Sequence, residues 1–252
     1  MSLENKVALV TGASAGIGAA IAELFAKEGA NVALVGRNEK NLTKVLKECE
    51  KNGKNHLLIK ADLSKETEAK SVVKKTVEQY GRLDILVNNA GLVRYGTILD
   101  GNLMNSYDEI LNTNLKAVML ITTLAAPHLI KTEGNIVNIS SIAALTAALP
   151  NFLLYCVSKA ALDHFTKGAA VELSPKGVRV NSVNPGPVRT DILIKAGSAD
   201  DVWDDWSKLN PLKRVGEAQE IADLVLFVAS DKAKNITGSI FVSDSGVLVK
   251  QN

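Results

Sequence analysis

The chain has 252 residues, 46% hydrophobic and 22% charged, with a formal net charge of +2 from 29 basic and 27 acidic residues. This is the composition of an ordinary globular protein, long enough to bury a core without disulfide or metal staples, and its charge balance points to neither nucleic acid nor an anionic membrane as partner. Two cysteines with no C-x-x-C and three scattered histidines offer no metal or redox site, and the most apolar stretch, "AVMLITTLAAPHLI", is too short to span a bilayer.

In chain order, "KVALVT" predicts a strand, followed by a helix with Ile17, Ile21, Leu24 and Phe25 inward that closes at Gly29. "NVALVG" predicts a second strand before a polar helix near 39–51, and "HLLIKA" a third before a helix near 65–80. "DILVNN" follows, then a longer helical region near 104–131. "GNIVNIS" precedes a helix that carries "YCVSK", and "VRVNSVN" and "SIFVS" close the series around a helix near 217–229. The early strands are continuous apolar runs, as strands buried on both faces are. Alternation of strand and helix predicts an α/β fold, a Rossmann-type doubly wound parallel sheet of about seven strands with helices on both faces. No linker or repeat divides the chain, so one domain over residues 1–252 is expected, with a lid near 191–210 inside the poorly patterned segment 187–215. The N-terminus has no basic region followed by an apolar core, so no signal peptide is read there and a cytoplasmic location is expected.

"TGASAGIG" joins the first strand to the first helix, with glycines at 12, 16 and 18. Gly12 suits the tight turn, and Gly16 and Gly18 suit close approach of backbone to a pyrophosphate at a helix N-terminus. The spacing is neither G-x-G-x-x-G nor a P-loop. The second strand ends in Gly36, Arg37 and Asn38, with no acid to hold a ribose hydroxyl. A guanidinium matches a 2′-phosphate, and Ser14 can add a hydroxyl, so NADP(H) is favoured over NAD(H). In "YCVSK", Tyr155 and Lys159 lie one helical turn apart on one face. An ammonium favours phenolate and so brings a phenol, normally near 10, closer to use as an acid/base near neutrality.

Taken in order, "TGASAGIG", "ADL" at 61–63, "NNAG" at 88–91, Asn114, "NISS" at 138–141, "YCVSK" and "NPGPVRT" at 184–190 resemble the single-domain branch of the short-chain dehydrogenase/reductase family, over nearly the whole chain. The general pattern is similar to its carbonyl reductases and 3-oxoacyl-carrier-protein reductases. The resemblance implies Tyr155 as catalytic acid/base, Lys159 as its partner, Ser141 as the carbonyl-orienting hydroxyl and Asn114 as the anchor of a water chain. It implies cofactor contacts from Gly12, Ser14, Gly16, Ile17 and Gly18 at the pyrophosphate, Asp62 and Leu63 at the adenine, and Asn89, Ala90 and Gly91 at the ribose, beside the Arg37 and Asn38 contacts read from the end of the second strand. Pro185, Gly186, Val188 and Thr190 are implied at the nicotinamide, with Tyr155 and Lys159. In the family the serine usually sits about thirteen residues before the tyrosine, whereas Ser141 stands fourteen before it, and Ser140 is the alternative.

The expected substrate is a small or lipophilic carbonyl compound or secondary alcohol, held by Tyr95, Ser141, Leu149, Leu154, Tyr155 and Trp203, with Leu145, Phe152 and Leu153 as further walls. Asp200, Asp201, Asp204 and Asp205 make the lid acidic, which disfavours an acidic carrier protein. The resemblance also implies a homotetramer. Three rivals stand beside this reading: an NAD-dependent alcohol dehydrogenase of the same family, a 3-oxoacyl thioester reductase, and a non-catalytic NADP-sensing protein.

Overall fold

The seven apolar runs form seven strands of one parallel sheet in the computed structural model, which describes residues 2–147, 151–198 and 202–250. The strands are β1 Val7–Thr11, β2 Asn31–Gly36, β3 Leu57–Lys60, β4 Ile85–Asn88, β5 Asn135–Ile139, β6 Arg179–Pro185 and β7 Ile240–Ser243. Their spatial order is β3-β2-β1-β4-β5-β6-β7. The helices are α1 Gly16–Lys27, α2 Glu39–Glu50, α3 Glu66–Tyr80, α4 Tyr107–Leu111, α5 Ala117–Thr132, α6 Leu153–Leu173, α7 Ile192–Lys195, α8 Val202–Leu209 and α9 Ala218–Ala229.

The period of two along each strand builds two cores. Ala8, Val10, Val32, Leu34, Val137 and Val183 pack against α1 and α9 around the fully buried Phe25. Their neighbours Val7, Leu9, Ala33, Val35, Ile136 and Val180 pack against α3, α5 and α6. Both faces are therefore covered, which is why these strands read as unbroken apolar runs.

The region near 104–131 is not one helix. A 3₁₀ turn, Leu103–Ser106, leads into α4, and a π-helical turn, Asn112–Lys116, joins α4 to α5. Within the segment near 191–210, the described residues include α7 and α8. Among the described residues no helix is long and apolar enough to cross a membrane.

Candidate active site

The sheet changes winding direction between β1 and β4, and this is where α/β sheets open a crevice at the carboxyl ends of their strands. The glycine loop lines it. Gly12 turns at φ +68°, and a Cβ there would stand 2.7 Å from the Asn89 Nδ2 and 2.9 Å from the Ala90 Cα. That amide donates to the Thr11 carbonyl at 2.9 Å, drawing the loop onto the end of β4. Gly18 lies beneath the loop, where a Cβ would come within 2.4 Å of the Gly12 carbonyl oxygen. Ala15 precedes α1 and supplies no side-chain cap, so the first amides of the helix have no side-chain partner.

Gly12, Ser14, Gly16 and Ile17 form one wall of the resulting cleft, with Arg37, Asn38, Asp62, Leu63, Asn89, Ala90, Gly91 and Thr190 around it. Arg37 is exposed there. Asn38 has a structural task as well, since its Oδ1 accepts from the Asn41 amide at 3.0 Å and caps α2. Burial works to raise the Asp62 carboxyl, but hydrogen bonds from Ser64 and the Arg37 and Lys65 charges outweigh it and hold the carboxyl below its usual value. Side-chain-free backbone, an uncapped helix N-terminus and a flanking cation together fit a dinucleotide.

An apolar pocket adjoins this cleft, sharing Ile17, Asn89, Gly91, Val93, Thr190 and Ile192 as lining. Ser141, Tyr155 and Lys159 converge in it, with Pro185, Gly186, Val188, Trp203 and Trp206 among its walls. Strand parity separates the two serines. Ile136, Asn138 and Ser140 face α6, and the Ser140 hydroxyl donates to the Lys159 carbonyl at 3.2 Å. Ser141, at the strand end, turns the other way, and its hydroxyl is hydrogen bonded to Tyr155. Ser141 Oγ also accepts from the Ala143 amide at 3.1 Å, which fixes the start of a 3₁₀ turn over Ile142–Ala144.

Lys159 is 4% exposed and donates to the Ile139 carbonyl at 2.8 Å, with its Nζ 5.7 Å from the Tyr155 ring centroid. Burial pushes this ammonium down to about 8, against the opposing charge of Asp163. Burial pushes the Tyr155 phenol up to about 12, and the Ser141 hydrogen bond opposes that rise. The neighbouring ammonium is a further pull toward phenolate whenever it is charged. Burial also pushes the Cys156 thiol up, and Cys156 lines a separate groove rather than this pocket. Among the described residues no group of three or more His, Cys, Asp or Glu could hold a metal ion.

Asn114 sits wholly buried in the π-helical turn. Its Oδ1 accepts from the Leu92 amide at 2.9 Å, and its Nδ2 donates to the Leu92 carbonyl at 2.9 Å and to Ser158 Oγ at 3.1 Å. It thus clamps the chain after β4 to α6, and its Oδ1 and the Lys159 Nζ border the same face of Gly91, where a Cβ would stand 3.4 and 3.6 Å from them.

The expected substrate walls need correction. Leu154 turns away from the pocket into a small core with Leu92 and Ile110, because it lies on the inner face of α6. Leu145 and Leu153 border the adjoining groove with Cys156. Tyr95 stands behind Phe152, its ring packed edge-on at 5.0 Å, and its hydroxyl is hydrogen bonded to Ser198. Leu149, Asp200 and Asp201 lie outside the described residues. Ile192 and Leu193 of α7 line the pocket without having been read from the sequence, and Lys195 borders the cleft. Their one signal is the apolar pair in "DILIK".

A family model described as enoyl-(acyl carrier protein) reductase matches residues 12–248. The fold superposes with a TM-score of 0.92 on a short-chain dehydrogenase/reductase of unknown function from Caenorhabditis elegans, 34% identical, over 99% of this chain and 97% of that one. The protein belongs to the short-chain dehydrogenase/reductase family. It is an oxidoreductase of that family, and the resemblance read from its motifs holds. Among curated relatives, 3-oxoacyl-[acyl-carrier-protein] reductase FabG of Thermotoga maritima is 37% identical, over 99% of this chain and all of the relative. A short-chain dehydrogenase from Burkholderia cenocepacia, solved in complex with NADP, is 36% identical with a TM-score of 0.91, over 98% of this chain and all of that one.

Proposed function

We propose that this short-chain dehydrogenase/reductase is an NADP(H)-dependent enzyme that interconverts a carbonyl and a secondary alcohol on a small or lipophilic substrate. The observation that carries the reading is the convergence of Ser141, Tyr155 and Lys159 in an apolar pocket continuous with the dinucleotide cleft. The preference for NADP(H) rests on Arg37, exposed at the end of β2 where no carboxylate occupies the ribose position. The Burkholderia relative in complex with NADP supports it.

The bound dinucleotide supplies or accepts the hydride. The chain's own residues do the rest. Ser141 orients the substrate oxygen and donates a hydrogen bond as negative charge develops on it. Tyr155 gives that oxygen its proton in reduction and takes it back in oxidation. Lys159, held by the Ile139 carbonyl, makes the transient phenolate affordable and keeps it aimed at the pocket. Asn114 ties the chain after β4 to α6 beside Lys159. Apolar walls exclude water from the reacting atoms.

Among the described residues the pocket offers no cation beyond Lys159, which favours a substrate whose distal part is uncharged and apolar, capped by Trp203 and Trp206. The exposed Asp204 and Asp205 on α8 add negative charge nearby, which disfavours an acidic carrier. A second reading, 3-oxoacyl thioester reduction, is favoured by the FabG relative. We also infer a homotetramer, supported by apolar Met119 and Val157 exposed on α5 and α6, and a cytoplasmic location, which suits two free cysteines.

The test is NADPH and NADH consumption over free ketones, diketones and 3-oxoacyl thioesters, with Tyr155→Phe alongside. Turnover of ketones that falls about 10²–10⁴-fold in Tyr155→Phe is expected. Equal turnover by the variant would remove Tyr155 from the mechanism, and exclusive turnover of carrier-bound thioesters would select the second reading.

A further inference from the structure

Behind the pocket, α6 buries a carboxylate that the proposed reaction does not use. Asp163 lies one turn beyond Lys159 and is 5% exposed. A buried carboxylate is costly unless hydrogen bonds and charge compensate it. β6 provides the hydrogen bonds. Its even-numbered residues face α6, and two of them are polar. Ser182 Oγ donates to Asp163 Oδ1 at 3.1 Å, and Asn184 Nδ2 donates to Asp163 Oδ2 at 2.7 Å. Ser182 Oγ also lies 2.6 Å from Asn184 Oδ1, so its single hydrogen is shared between the carboxylate and the amide oxygen, which orients the amide with its nitrogen toward Asp163.

The same Asn184 amide reaches forward. Its Nδ2 donates to the Ser141 backbone carbonyl at 3.0 Å. An amide nitrogen has two hydrogens, so one can serve the carboxylate and the other the active-site serine. The carboxylate is thus tied through a single side chain to the residue that presents the pocket hydroxyl.

Charge compensation comes from the other direction. On α6, Tyr155 lies one turn before Lys159 and Asp163 one turn after it, while β5 offers Lys159 the Ile139 carbonyl and the π-helical turn borders it with the Asn114 amide, neither of which titrates. Among the described residues, Asp163 is the negative charge that opposes the effect of burial on this ammonium.

We propose that Asp163 is a positioning residue of the active site, which holds Ser141 through the Asn184 amide and provides the counter-charge that keeps Lys159 an ammonium. The proposal rests on the reading of Tyr155 and Lys159 as a proton-transfer pair. It adds a rear layer, Asp163, Ser182 and Asn184, to the groups that touch substrate.

Asp163→Asn keeps the shape and removes the charge. The Lys159 midpoint is read by nuclear magnetic resonance on ¹³C-lysine-labelled protein, with the signal assigned by Lys159→Met. It should move down by about half a pH unit or more. This readout needs no turnover. In the assay, the alkaline limb of kcat should move down with it, while KM for NADPH stays within about twofold. An unmoved Lys159 midpoint overturns the counter-charge. A uniform loss of kcat with the limb in place makes Asp163 structural and overturns it too. Asn184→Ala leaves the charge and releases Ser141, so kcat should fall about tenfold or more with the Lys159 midpoint unchanged. Full kcat in that variant overturns the tether, and the variant serves as well if Asp163→Asn does not fold. If the midpoint moves as expected but the wild-type protein reduces no carbonyl, the counter-charge stands and the proposed reaction fails.

Discussion

The Tyr95 hydroxyl is hydrogen bonded to Ser198. This joins the chain after β4 to the chain after α7, and the edge-on contact of Tyr95 with Phe152 brings in the entry to α6. Three stretches around the pocket mouth therefore meet at one phenol. Tyr95→Phe preserves the ring contact and removes the hydrogen bond. Limited proteolysis within residues 192–209 should become several-fold faster in the variant, with little change in global stability. Equal cleavage rates would show that the bond does not restrain the segment.

Buried Lys159 makes stability depend on pH in a defined direction. Its folded-state value of about 8 lies below the ordinary lysine value of 10.5. Between these two values the unfolded chain binds more protons than the folded one, so this group's contribution to stability rises with pH. Below about pH 8 the full cost of the buried ammonium is felt. Lys159→Met removes the cost, so the variant's stability advantage over wild type should shrink by about 2–3 kcal/mol between pH 7.5 and 10.5. Denaturant unfolding of both proteins at several pH values measures it, and a constant difference would contradict the assignment.

Arg37 supplies the charge that separates the two dinucleotides. Arg37→Ala should raise KM for NADPH about 10–100-fold, the loss of one charge-assisted hydrogen-bonding group, and leave KM for NADH nearly unchanged. Steady-state kinetics with each cofactor decides. Parallel losses with both would locate the 2′-phosphate elsewhere.

Gly18 is fixed by space rather than by backbone angle. A Cβ there would meet the Gly12 carbonyl oxygen at 2.4 Å and the Asn89 amide at 2.3 Å. Gly18→Ala must push the loop off β4, at about 1–3 kcal/mol. A fall in Tm of roughly 2–10 °C, with weaker dinucleotide binding by calorimetry, is expected. A variant as stable as wild type would mean the loop moves freely.

Much of this was legible in the chain. The seven strands announced themselves because burial on both faces leaves runs such as "VALVT" and "NVALVG" without polar interruption. The glycine loop was legible because turn and close approach both demand a missing side chain. The choice between Ser140 and Ser141 was open in the sequence, and although both residues border the pocket, strand parity gives their hydroxyls different partners, the Lys159 carbonyl for Ser140 and Tyr155 for Ser141. Leu145, Leu153 and Leu154 were misread as pocket walls, whereas Phe152 does line the pocket, because the start of α6 decides which side chain points inward and apolar runs do not reveal a phase. Asp163 gave no sign, since "KAALDHFT" has the same pattern whether its aspartate meets water or an asparagine on the next strand.

The π-helical turn at Asn112–Lys116 carries a different kind of information. The Ala117 amide reaches back to the Asn112 carbonyl, five positions away, so the turn holds one residue more than an α-helix would. Point substitutions leave that surplus intact. Deleting one residue of this turn other than Asn114 would let a regular helix close, rotating what precedes it by about 100° and swinging the Asn114 amide away from Leu92. At this place the chain is constrained in its count as well as its letters, and a shortened variant would lose the clamp while keeping every side chain that builds it.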